Sequence, residues 1–150
     1  MQKAVELSRR GMEQGDGGPF GSIVVKGEEI IGEGWNQVLC ENDPTAHAEV
    51  MAIRNACKKL GTFQLTGCEI YTSCEPCPMC LGAIYWARPS RVYYANSKED
   101  AAAINFDDSF IYREIALPHE DKKIPLIALP DEEALKVFRQ WKEMNNKKLY

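Results

Sequence analysis

The sequence has no apolar run near the 18 or so residues that a membrane-spanning helix needs, which argues against an integral membrane protein. Residues 1–6 also lack the apolar core of a signal peptide, so we expect the chain to stay in the reducing cytoplasm. There is no basic excess, because 18 Lys and Arg stand against 22 Asp and Glu, a formal net charge of −4. A protein that grips nucleic acid through its phosphates usually needs a basic surface. The charge therefore speaks against nucleic-acid binding as the main activity.

Internal repeats, low-complexity tracts and long linkers are also missing, so the 150 residues predict a single domain. Segments rich in Ile and Val alternate with segments whose apolar residues recur every three or four positions. This alternation predicts an α/β fold, a three-layer α-β-α sandwich around a central mixed sheet. The predicted strands are residues 20–26, 29–38, 68–73 and 91–95, and the predicted helices are 2–14, 78–87, 131–144 and one that starts at Asp43 or Thr45 and ends at Gly61.

The chain has only two histidines but six cysteines, three of them in the run Cys74-x-x-Cys77-x-x-Cys80. Six cysteines would suggest disulfides in a secreted protein, whereas in the cytoplasm they indicate free thiols or a metal site. An iron–sulfur cluster would need a fourth clustered cysteine, and none follows Cys80. A structural four-ligand zinc site would have to add Cys74 or a distant residue to His47 and the other two thiols. Three ligands with an open position fit a catalytic zinc better.

Glu49 strengthens the catalytic interpretation, because it follows His47 by two residues on the same predicted helix. A carboxylate beside a zinc ion, but not bound to it, can take a proton from water and deliver it to a leaving group. His47 and Cys77 both stand at predicted helix starts, so the positive ends of two helix dipoles would favour a thiolate at the site. We therefore predict zinc bound by His47, Cys77 and Cys80, with Glu49 as the catalytic proton shuttle.

His47-x-Glu49 followed by Pro76-Cys77-x-x-Cys80 resembles the signature of the zinc-dependent nucleobase deaminases of the cytidine deaminase superfamily. Wider blocks resemble the bacterial guanine deaminases over nearly the whole chain. The resemblance implies a cytidine deaminase-like fold with five strands and one Zn²⁺ per subunit. It further implies hydrolysis of guanine to xanthine and ammonia, with no nucleic-acid or membrane partner, by a homodimer that exchanges C-terminal segments of about residues 131–150. The blocks are residues 17–21, 42–49, 71–88, 106–112 and 146–150.

The same resemblance implies a set of substrate-binding residues. Asn36 would hydrogen-bond the purine, and the Asp108 carboxylate would accept hydrogen bonds from guanine. The aromatic rings of Phe20 and Trp86 would contact the base unless they only pack in the core. The C-terminal residue, Tyr150, would close the site of the partner subunit. The backbone N–H of Ala48 is a further candidate donor to the base, and Cys74 is expected to be a buried neighbour of the metal rather than a ligand.

Other deaminases share the metal motif. Guanosine, cytosine and tRNA adenosine remain alternative substrates, although the acidic charge disfavours tRNA. A non-enzymatic zinc-stabilised binding module is an alternative of a different class, and it would hold its metal with four protein ligands.

Overall fold

The computed structural model describes residues 1–149, which divide into two compact units, Met1–Asp108 and a second unit that begins at Ser109. None of the helices within residues 1–149 is long and apolar enough to cross a membrane. The elements of the first unit are α1 Gln2–Gln14, β1 Gly21–Lys26, β2 Glu29–Trp35, α2 Val38–Glu41, α3 Ala48–Leu60, β3 Glu69–Cys74, α4 Pro78–Ala87, β4 Arg91–Asn96 and α5 Lys98–Ala103.

The four strands form one mixed sheet in the order β2-β1-β3-β4. β1 is antiparallel to both β2 and β3, whereas β3 and β4 are parallel because α4 connects them. The mixed sheet is as predicted, but the expectation of five strands is wrong for the described chain. The residues themselves indicated four strand-forming segments, and the fifth strand came only from the family resemblance. After β4, the described chain forms helices and unpaired segments instead.

Helices lie on both faces of the sheet. On one face, Val24 and Ile70 pack in a core with Ala52 of α3 and Ile84 of α4. On the other face, α1 approaches so closely that a Cβ on Gly21 would lie 2.2 Å from the Ala4 carbonyl oxygen. The three layers agree with the predicted sandwich.

Small residues bring α3 onto the sheet. A Cβ on Gly34 of β2 would lie 2.3 Å from the Ala48 carbonyl oxygen, and one on Gly32 would lie 2.4 Å from that of Ala52. The two glycines therefore let the backbone of α3 rest directly on β2. This close approach fixes the position of the N-terminus of α3 relative to the ends of the strands.

Two predicted boundaries are wrong. The second strand ends at Trp35 rather than at residue 38, because the chain turns there into α2. The following helix starts at Ala48 with His47 as its N-cap, not at Asp43 or Thr45. Asp43 instead closes a turn, since its Oδ1 accepts hydrogen bonds from the backbone N–H and the hydroxyl of Thr45. Asx turns and helix N-caps favour the same residue types, so the sequence alone does not distinguish them here.

The second unit contains α6 Ser109–Ala116, a 3-10 turn His119–Asp121 and α7 Glu132–Glu143. Sequence periodicity predicted α7 and missed α6. Asp131 caps α7 by accepting a hydrogen bond from Ala134 N at 3.0 Å. Large apolar side chains of this unit remain exposed, among them Phe138 of α7 at 75% and Ile127 at 86%. Phe138 lies on α7, and Ile127 lies in the segment that precedes it.

Candidate active site

The N-termini of α3 and α4 meet at the ends of the strands, and each presents a metal-binding side chain. His47 is the N-cap of α3 and Cys77 is the N-cap of α4, with Cys80 one turn further along α4. His47 Nδ1 lies 3.5 Å from each of the two sulfurs, Cys77 Sγ and Cys80 Sγ. Within residues 1–149, these three donor atoms form a group in which all lie within 4.8 Å of one another. The structure therefore brings together the three ligands predicted from spacing.

This donor set fits zinc. Tetrahedral zinc with usual Zn–N and Zn–S bonds places an imidazole nitrogen and a thiolate sulfur about 3.6 Å apart, close to the observed separations. Hydrogen bonds from Cys80 and His47 lower the pKa of Cys77 to about 4, so this thiol is a ready thiolate. The N-terminal end of α4 favours the same charge. Three protein ligands leave one coordination position for water or substrate, as catalytic zinc sites do.

The other four cysteines are separate from this cluster. The Cys74 thiol donates to the Ser97 carbonyl at 3.5 Å, and burial is the largest cause that raises its pKa to about 11. The Cys74 sulfur is not part of the group of mutually close donor atoms that the described residues form around His47. Cys40 is exposed, Cys57 is half-buried and Cys68 is buried, and all are free thiols. This placement supports the interpretation of Cys74 as a buried neighbour.

Glu49 lies beneath the cluster in the first turn of α3, with 6% of its surface exposed. Its Oε1 accepts a hydrogen bond of 2.9 Å from the hydroxyl of Thr72 on β3. Burial raises the pKa of the carboxyl above its usual range, which suits a group that must accept and release a proton near neutral pH. Sequence reasoning predicted Glu49 but missed Thr72.

Asn36 follows β2 and is almost fully buried, at 4% exposure. Its backbone N–H donates to the Phe20 carbonyl at 3.0 Å, which ties it to the start of β1. Its side-chain Oδ1 accepts from the backbone N–H of Val38 at 3.2 Å. Because the oxygen of the amide is engaged in this way, the Nδ2 hydrogens are what Asn36 has to offer a ligand.

The predicted aromatic residues occupy different environments. Phe20 is half-buried and packs edge-to-face with Phe106, with ring centroids 5.0 Å apart and planes at 89°. Trp86 lies on α4 with 64% of its surface exposed, so its role as a pocket wall stays a prediction. Tyr150 lies outside the described residues. Phe106 is a further residue that sequence reasoning did not single out, although it stands in one of the blocks that carry the family resemblance.

Asp108 ends the first unit and is half-buried. Burial, followed by the nearby Cys77 thiolate, raises the pKa of its carboxyl. Ala48 is buried and is the first residue of α3. A backbone N–H at this position has no carbonyl of a preceding helical turn to which it could donate a hydrogen bond.

Comparison with known proteins agrees with this site. Residues 1–96 match the family described as "Cytidine and deoxycytidylate deaminase zinc-binding region". The chain is 56% identical to guanine deaminase of Bacillus subtilis over 150 residues, which is 100% of this chain and 96% of that protein. The X-ray structure of guanine deaminase from Bacillus subtilis superimposes with a TM-score of 0.96, covering 99% of this chain and 95% of the other.

More distant relatives include proteins that act on different substrates. A guanine deaminase structure from Nitrosomonas europaea has a TM-score of 0.67 at 35% identity, and the match covers 71% of this chain and 62% of that one. The tRNA-specific adenosine deaminase of Haemophilus influenzae is 39% identical over 114 residues, 72% of this chain and 65% of that protein. The family match, the full-length relative and the His–Cys–Cys cluster together show that the chain belongs to the zinc-binding cytidine and deoxycytidylate deaminase family.

Proposed function

We propose that this protein is a zinc-dependent hydrolase that converts guanine and water to xanthine and ammonia. One observation carries the proposal: a buried carboxylate, Glu49, lies at a His–Cys–Cys cluster in a chain that matches guanine deaminase over its whole length. His47, Cys77 and Cys80 would hold the zinc ion. Bound zinc lowers the pKa of a water molecule at its open position towards neutrality.

Glu49 moves the protons of the reaction. Its carboxylate takes a proton from the attacking water, whose oxygen forms a bond to C2 of guanine. Glu49 delivers this proton to the ring nitrogen, then takes a second proton from the hydroxyl of the tetrahedral adduct and passes it to the departing amine. The C2–N bond breaks as the C2 carbonyl forms, which releases ammonia. The Thr72 hydroxyl holds the carboxylate in place through its hydrogen bond of 2.9 Å. The raised pKa of Glu49 brings its two protonation states closer in energy and so supports both transfers.

The remaining residues would select the base. Guanine carries N–H donors at N1 and at its amino group, and the Asp108 carboxylate would accept from them. The Nδ2 group of Asn36 would donate to an acceptor on the purine, as would the backbone N–H of Ala48. Phe20 would stack on the ring. A site that pairs every polar group of one base discriminates strongly against bases that leave a group unpaired.

A substrate panel tests this function. Ammonia release is measured with guanine, guanosine, adenine and cytosine at equal concentrations, and with an RNA hairpin that carries a target adenosine. We expect guanine to give a kcat/KM at least about 100-fold above that of each other substrate, since unpaired polar groups are costly in such a site. Preference for guanosine or for the RNA would refute the proposal. A protein that holds zinc with four of its residues and releases ammonia from none of these substrates would instead be a non-enzymatic, zinc-stabilised binding module.

We further propose a homodimer whose subunits exchange their C-terminal segments, so that the catalytic domain over residues 1–150 is completed by a second copy. Two features support it. β4 is an edge strand whose residues are almost all exposed, and such edges normally pair or are covered. The second unit carries exposed apolar side chains, Phe138 and Ile127 among them, that a partner would bury.

The six free thiols agree with a reducing cytoplasm as the location.

Subunit complementation tests the exchange. Deleting Leu149 and Tyr150 should reduce guanine turnover without loss of zinc, because the tail closes a site that other residues build. Mixing this truncated chain with a full-length Glu49→Gln chain should then restore activity, to about a quarter of the wild-type rate for random pairing into dimers. The restored site combines Glu49 of one chain with the tail of the other. Full activity of the truncated chain would reject the closing role, and no recovery on mixing would reject the exchange.

A further inference from the structure

Gly17 packs directly against the side chain of Asn36 in the loop before β1. A Cβ built on Gly17 would lie 2.0 Å from Asn36 Oδ1, 2.9 Å from Asn36 Cγ and 2.8 Å from the Asn36 carbonyl oxygen. Gly17 is not among the glycines with positive φ, so an alanine would fit its backbone conformation. The requirement for glycine at this position is therefore one of space, chiefly beside the side-chain amide of Asn36 and to a smaller extent beside its backbone carbonyl.

Hydrogen bonds attach the loop that carries Gly17 to residues that precede and follow Asn36 in the chain. The Asp16 carboxylate accepts a hydrogen bond of 2.7 Å from the indole of Trp35. The Asp16 carbonyl accepts from Leu39 N at 3.0 Å. Because these contacts attach the loop to residues before and after Asn36, Gly17 has little freedom to move away from the amide. A new methyl group would displace the Asn36 side chain instead.

We propose that Gly17 is a positioning residue that fixes the amide plane of Asn36. The bare Cα of Gly17 leaves Oδ1 on the backbone N–H of Val38 and so keeps Nδ2 available as the donor to the base. This inference rests on the proposed function, in which Asn36 binds the purine. An amide pushed out of this plane would lose its bond to Val38 and would no longer present its donor correctly, which weakens recognition of the base without affecting the metal site.

Alanine substitution in two backgrounds tests the inference. In the wild-type protein, Gly17→Ala should raise KM for guanine at least about tenfold with kcat changed by less than about threefold, the pattern of lost substrate binding. In an Asn36→Ala protein, the same substitution should change KM by less than about threefold, because the side-chain oxygen 2.0 Å away is gone and only the milder contact with the backbone carbonyl at 2.8 Å remains. Equal effects in the two backgrounds, or an unchanged KM in the first, would overturn the inference.

Gly15→Ala is the matched control in the same loop. Gly15 has φ +76 and no atom within 4 Å of an added Cβ, so this substitution strains the backbone without touching Asn36. It should lower the melting temperature and leave KM unchanged. If Gly17→Ala does not fold, the double variant with Asn36→Ala should regain folding, and a double variant that is equally unfolded contradicts the inference.

A readout without substrate separates this inference from the proposed function. In the ¹H–¹⁵N spectrum of the free protein, the side-chain NH₂ signals of Asn36 should shift in Gly17→Ala and keep their positions in Gly15→Ala. Unmoved signals in Gly17→Ala refute the positioning role. A wild-type protein that releases no ammonia from guanine refutes the proposed function, whatever the Asn36 signals do.

Discussion

Glu49→Gln should lower kcat for guanine by at least about 10³-fold, within the range that general acid–base catalysis contributes. An amide has nearly the same shape as the carboxyl group but cannot take up a proton from water or release one to the amine. Its oxygen can still accept the hydrogen bond from Thr72, so the fold and the metal cluster should persist. Initial rates of xanthine formation and zinc content per chain are the two measurements.

The control for this substitution is Glu28→Gln, in the exposed turn between β1 and β2. This substitution makes the same chemical change at an exposed position away from the metal cluster. It should leave kcat within about twofold, as surface substitutions usually do. A Glu49→Gln protein with full zinc content and more than a tenth of the wild-type kcat would contradict the shuttle mechanism.

The sequence predicted the parts of the site that local spacing determines. His47 and Glu49 are two residues apart, and Cys77 and Cys80 are three apart, so a helix start at each motif fixes how the side chains project. In the structure His47 and Cys77 are helix N-caps and the donor atoms converge, although the helix of His47 starts later than the predicted Asp43 or Thr45. Strong start signals, among them Pro78 in the first turn of α4, made this convergence predictable.

Contacts that depend on packing between elements were not predictable in the same way. Thr72 reaches Glu49 only because α3 rests on the sheet at the distance that Gly32 and Gly34 permit. Alternation along β3 places Thr72 on the same face as Ile70, but it does not show which helical side chain lies opposite. Gly17 illustrates the same limit, since nothing in a glycine-rich loop indicates that one glycine faces Asn36.

The expected fifth strand shows a different limit. The four strands found are those with a clear β-forming pattern in the sequence, whereas the fifth was expected only by analogy with a family. An analogy with a family carries no information on which residues of this chain would pair, whereas the β-forming pattern of the four segments does. The described residues contain the four strands that this pattern predicts.

Removal of a metal ligand should have the other large effect. Cys80→Ala should reduce zinc to below about a tenth of an ion per chain after dialysis, because two ligands hold zinc far more weakly than three. Guanine turnover should fall by at least about 10³-fold, since water then keeps its high pKa. The melting temperature should also fall, because zinc binds only the folded state and its loss removes that stabilisation.

Cys74→Ala is the matched control, because it removes a buried thiol of the same Cys-x-x-Cys-x-x-Cys run. Its thiol donates to the Ser97 carbonyl and lies outside the group formed by His47, Cys77 and Cys80, so it should contribute packing and not metal affinity. We expect Cys74→Ala to retain about one zinc per chain and to lose stability by about 1–2 kcal/mol, as is usual for a small buried truncation. Zinc measured by atomic absorption, together with thermal unfolding, separates the two variants. Loss of zinc in Cys74→Ala with retention in Cys80→Ala would mean that the ligand set is different from His47, Cys77 and Cys80. Loss of zinc in both variants would favour a structural site with four ligands.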